Sequence, residues 1–111
     1  MIPVEHYVVL SAILFVVGGV GFLVRRNVLV TLMSIEVMLN AANLALVAFN
    51  RSHLAPGALQ TYPGQSHTGQ VFVFFIIAAE AAEVAVGLAI VLAMYRLRAS
   101  VRSDDANLLR N

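Results

Sequence analysis

Glu36 and Glu83 each stand near the middle of a long apolar stretch, at the depth where a membrane-spanning helix is furthest from water. An acidic side chain there costs roughly 2.5 to 3.5 kcal/mol on insertion scales, so a chain carrying one on each of two helices is expected to use them. The chemistry a buried carboxyl offers is proton exchange. Glu80 lies three residues before Glu83 and shares its helix face. Two carboxyls that close in low dielectric are seldom both ionised, which leaves a proton available to be taken up or released. On the other acidic stretch Glu36, Asn40 and Asn43, at spacings i, i+4 and i+7, fall within a narrow arc and make a polar stripe. Within lipid that stripe must face protein or water, and its amides can hold a carboxyl or order a water chain.

The elements that position these groups follow from hydropathy. Of 111 residues 60% are hydrophobic and only 12% charged, well outside the soluble range. The expected fold is all-α: three transmembrane helices in a small bundle packed against partner membrane subunits. As one integral membrane domain, residues 1–111, the chain divides into spans at about 4–24, 27–50 and 70–96, an outer loop over 51–69 and a tail over 97–111. Each span is long enough to cross about 30 Å of hydrocarbon. The first does not read as a cleaved signal, because its leader carries Glu5 and its apolar run ends at Arg25 and Arg26. Those two arginines, with Arg96, Arg98 and Arg102 after the third span, predict a cytoplasmic turn and C-terminus and an outside N-terminus. The Arg51–Gln70 loop, with Pro56, Gly57, Pro63, Gly64 and Gly69, is then external. Glu36 is ten residues from Arg26 and Glu83 thirteen from Arg96, so both acids are expected roughly 15 to 20 Å from the cytoplasmic ends, level with each other. A lateral proton path in the membrane plane needs such an arrangement.

Composition also narrows what the chain can do. The net charge of +1 points to neither nucleic acid nor a polybasic lipid anchor. Without cysteine there is no thiolate, haem attachment or iron–sulfur cluster, and His6, His53 and His67 have no metal-ligand spacing. Any redox chemistry is expected in partners. Gly18, Gly19 and Gly21, and Ala78, Ala82, Ala85, Gly87 and Ala89, offer small surfaces for close helix approach, and Gly87 leaves room for water or another helix beside the acids. The glycine run 18–21 is not a nucleotide loop, since no strand precedes it. Glu5 and His6 sit at a helix mouth and are assigned no role.

The stretches RRNVLVTLMSIEVMLNAANLALVAF and GQVFVFFIIAAEAAEVAVGLAIVLAMYR resemble the second and third helices of subunit K of proton-pumping NADH:quinone oxidoreductase, respiratory complex I, called 4L in mitochondria. The patterns E-x-M-x-N-A-x-N and A-x-E-x-x-V-G-L-A are specific when found together. The resemblance covers nearly the whole chain, including the Ile2-Pro3 start, the Arg25-Arg26 turn and the acidic-then-leucine tail at Asp104, Asp105, Leu108 and Leu109. It implies that Glu36 and Glu83 match the family's proton-relaying glutamates, with Asn40, Asn43, Arg25 and Arg26 in support. It implies no cofactor in this chain, with quinone, NADH, FMN and iron–sulfur clusters in partner subunits, and a place between the quinone-proximal and antiporter-like subunits of a bacterial plasma membrane. Glu80 departs from the pattern, where a small residue is usual, and the 51–70 loop is longer than typical. That leaves open whether the relay has an extra station at Glu80 or whether Glu80 tunes Glu83. Two alternatives stand beside this reading: the small subunit of a multisubunit cation/proton antiporter or membrane-bound hydrogenase, and a non-conducting scaffold.

Overall fold

The computed structural model describes residues 2–52 and 67–98. The turn formers at positions 56–64, the histidine at 53 and the tail from 99 onward lie outside the described residues. Three helices make the fold: α1 (Val4–Val24), α2 (Val28–Ser52) and α3 (Thr68–Arg98), of 21, 25 and 31 residues. At about 1.5 Å per residue they reach roughly 31, 37 and 46 Å, so each can cross a hydrocarbon core of about 30 Å. All three are apolar enough to do so.

Local chemistry sets the helix ends. Pro3, extended and lacking an N–H, stands before α1, and the chain leaves helical geometry at Arg25, whose N–H still donates to the Gly21 carbonyl at 3.3 Å. Asn27 caps α2: its Oδ1 accepts the Leu29 N–H at 2.9 Å, satisfying one of the donors a helix start leaves orphaned. The carbonyl of Asn27 takes the Thr31 N–H at 3.0 Å and the Thr31 hydroxyl at 3.1 Å. The two ends of the α2–α3 connection are tied together, because Asn50 Oδ1 accepts the Gly69 N–H at 3.1 Å across 19 positions. His67 and Gln70 add a side-chain contact of 3.3 Å at the same helix start.

Two seams on α2 explain the layout. Ser34, Ala41 and Ala48 are buried at seven-residue spacing and face α1. Gly18 fits against Ser34 and Met38, Gly21 fits against Ser34, and the Ser11 hydroxyl donates to the Ala41 carbonyl. Leu32, Asn43 and Asn50 make the contacts to α3. At 100° per residue these two rows lie about 180° apart, on opposite sides of α2. The middle helix is therefore packed on both flanks, by α1 more extensively than by α3.

Helix association in lipid relies on close backbone approach and a few polar contacts, which is what these seams provide. Gly18 admits Met38, Gly21 admits the Ser34 hydroxyl, and Gly87 admits Leu32. Gly19 meets nothing within 4 Å, so the glycine run is divided between a packed side and an open one. A row of helices has little interior. Among the described residues no large side chain is fully buried, and Phe74 and Phe75 are each 71% exposed. Those surfaces face lipid or other protein.

Candidate functional site

The register of α2 against α3 places the acids. Leu32 lies against Gly87 and Asn50 against Gly69. Four residues onward from Leu32 is Glu36, and four residues back from Gly87 is Glu83, so in these antiparallel helices the two glutamates stand level. Glu36 is half-buried, and Glu83 is exposed on the surface of the single chain.

Glu80 is the acid that the chain buries itself, at 7% exposure. It belongs to the α2-facing seam of α3 with Gly69, Gly87 and Val91: separations of eleven, seven and four residues bring all four within a narrow arc. Glu83 sits three residues on, about 60° off that seam, which turns it away from α2. The i, i+3 spacing suggested a shared face for the two acids, and they share it only in this loose sense. One looks into the helix interface and the other out of it.

Glu80 meets Asn43. Asn43 Nδ2 donates to Glu80 Oε1 at 2.9 Å, and Asn43 is likewise 7% exposed. On the register above, the two Cα atoms are about four residues, or roughly 6 Å, apart along the axis. Side chains lean toward the N-terminus of their own helix, so on antiparallel neighbours these two lean toward each other and close the gap. The second amide atom, Asn43 Oδ1, is buried and has no hydrogen-bond partner.

Asn40 behaves differently. It is exposed, and its Nδ2 donates to the main-chain carbonyl of Glu36 at 2.8 Å. The polar stripe is thus split: Asn43 holds a carboxyl of the next helix, and Asn40 stays on the outer side one turn from Glu36. The space expected beside Gly87 is filled by Leu32. Arg25 and Arg26 are exposed at the α1–α2 turn.

Glu36, Glu80 and Glu83 lie within one helical turn of each other in depth, since Glu36 and Glu83 are level and Glu80 is three residues from that level. They do not converge as metal ligands would, and among the described residues no such cluster occurs. The Asn43–Glu80 pairing is the part of the site that the sequence did not reveal. Asparagine and glutamate were both visible as polar groups within spans, but which of them meet depends on the inter-helix register.

Fold and site together define an all-α integral membrane subunit with carboxyl groups at mid-depth. The chain belongs to the NADH-ubiquinone/plastoquinone oxidoreductase chain 4L family, whose model matches residues 6–111. It is 58% identical to the NADH-quinone oxidoreductase subunit K of Sorangium cellulosum (strain So ce56), over 99% of this chain and 97% of that one. It is 47% identical to the subunit K of Methylacidiphilum infernorum (isolate V4), over 98% and 97% respectively. Membership makes it a subunit of a multisubunit NADH-quinone oxidoreductase, and the antiporter and hydrogenase alternatives give way to that assignment.

Proposed function

We propose that this chain carries protons laterally within the membrane arm of the oxidoreductase, with Glu36 and Glu83 as exchanging groups between the quinone-proximal and the antiporter-like subunits. The observation that supports this is the level placement of the two acids on adjacent helices, given by Leu32 against Gly87 and Asn50 against Gly69. Side-by-side carboxyls at one depth suit transfer in the membrane plane. A path normal to the membrane would stagger them.

In this reading the chain is a conductor and the redox chemistry is done elsewhere, with quinone, NADH, FMN and iron–sulfur clusters held by partner subunits. Each transfer breaks one O–H bond and forms another, on a carboxyl or on an intervening water, with no change of oxidation state. Asn40, exposed beside Glu36, is positioned to order such a water, and Arg25 and Arg26 set the basic mouth of the path. The arginine distribution further supports an outside N-terminus and a cytoplasmic C-terminus in a bacterial plasma membrane. Glu83, exposed in the single chain, is to be covered by a neighbouring subunit, since lipid would be a costly surrounding for it.

Glu36→Gln keeps the shape and hydrogen bonding of the side chain and removes its titration. In the assembled complex, NADH-driven proton pumping should fall while the subunit still incorporates. Glu83→Gln should do the same. Wild-type pumping in E36Q would exclude the relay and favour a scaffold, for which glutamine at both positions is harmless.

A further inference from the structure

The relay reading needs two acids, and the chain buries a third that it leaves unexplained. We propose that Glu80 is an additional proton-exchanging station of this chain, seated between α2 and α3, and that Asn43 is the residue that positions it. The inference rests on the relay reading and deepens it.

Asn43 gives its Nδ2 hydrogen to Glu80 Oε1 at 2.9 Å, while its Oδ1 is buried with no donor. A buried carbonyl without a hydrogen bond costs about 1 to 3 kcal/mol, so the atom calls for a donor. An ionised carboxylate only accepts and cannot supply the missing donor. A carboxylic acid can. A primary amide and a carboxylic acid are matched, each offering one donor and one acceptor on a planar head, so a proton arriving on Glu80 Oε2 brings the O–H that Asn43 Oδ1 lacks. Proton uptake at Glu80 thereby completes a hydrogen-bonded pair that is half made in its absence. The site is built for two protonation states.

Its surroundings suit a station more than a clasp. On the α2–α3 register Glu36 lies three residues, or roughly 4.5 Å, along the axis from Glu80, and Glu83 sits three residues on along α3, about 60° off the seam. On the flank of α2 toward α1, the buried polar contacts are the Ser11 and Ser34 hydroxyls, which do not titrate. A proton leaving the Glu36 carboxyl for a water can be passed to Glu80 Oε2, and from there to Glu83, which sits one turn along α3. One O–H bond breaks and one forms at each transfer, so no oxidant or further reactant is needed. Glu80 is packed within the chain, whereas Glu83 looks outward.

The test uses the intact NADH:quinone oxidoreductase carrying E80Q or N43A, with proton pumping per NADH oxidised and infrared difference spectra during turnover. Glutamine at position 80 can pair with the Asn43 amide at both atoms, so a mere clasp survives E80Q. The expected result is that E80Q assembles, loses part of its pumping, and lacks one carboxylic C=O band present in the wild-type difference spectrum. N43A should retain that band at a shifted frequency, as befits a residue that orients the carboxyl without exchanging the proton. Wild-type pumping and an unaltered spectrum in E80Q would overturn the proposal. If E80Q fails to assemble, the N43A spectrum decides, and bands identical to wild type overturn it. A loss in E36Q together with no loss in E80Q defeats this inference alone, whereas wild-type pumping in E36Q defeats the relay on which it rests.

Discussion

Alanine at Gly18 is the smallest change that tests how α1 is held. A Cβ there would lie 2.6 Å from Met38 Cγ, 2.9 Å from the Ser34 carbonyl oxygen and 3.2 Å from the Met38 nitrogen. The first of these is about 1 Å inside the ~3.5 to 4.0 Å optimum for carbon atoms. Met38 could rotate, but the Ser34 oxygen and the Met38 nitrogen are backbone of α2 and can yield only if the two helices part. A shift of several tenths of an ångström loosens the whole seam, including the Ser11 hydrogen bond to Ala41 two turns away. Overpacking of this kind costs about 1 to 3 kcal/mol, or roughly a 5- to 140-fold shift in the packing equilibrium of α1 on α2. Gly19→Ala is the matched control, because a Cβ there meets nothing within 4 Å. The measurements are the fraction of complex containing the subunit on native gels and the half-time of thermal inactivation of NADH:quinone reductase activity. G18A should lower both and G19A should lower neither. A G18A complex indistinguishable from wild type would refute the seam.

Two further substitutions read the other contacts. Asn27→Ala removes the acceptor of the Leu29 N–H and should cost about 0.5 to 2 kcal/mol, seen as earlier thermal inactivation of the complex, with Asn27→Ser recovering most of it. Gly87→Ala should be milder than G18A in the same inactivation assay, because its Cβ would press on Leu32 Cδ2, the far end of a flexible side chain, while Gly87→Val should approach the G18A effect.

How much of this could be read from the sequence differs by level. The three spans were legible because long apolar runs are interrupted only by Glu36, Glu80 and Glu83, and arginines bracket them. The same uniformity hid the order of packing. In a soluble helix the apolar stripe marks the buried face, but a helix in lipid is apolar on both its protein and its lipid sides, so periodicity gave no reason to put α2 in the middle. Gly18, Gly19 and Gly21 are equivalent as sequence, and only the packing separates the two that admit α2 from the one that does not. Glu80 was visible as an acid close to Glu83 on a helical wheel. Its burial against Asn43 depends on the α2–α3 register, which rests on contacts such as Leu32 with Gly87 that no local pattern encodes.

The division of the acids between an inner and an outer position has a consequence for assembly. Glu80 has a hydrogen-bond donor within its own chain, so its desolvation is partly offset before any partner arrives. Glu83 is exposed on a helix that must lie in the membrane, and an acid facing lipid at mid-depth costs roughly 2.5 to 3.5 kcal/mol. That cost is relieved only when another subunit, or water enclosed by one, covers the face. The outer acid therefore favours the assembled complex over the free chain, in the same sense in which any partner that binds only the native form stabilises it.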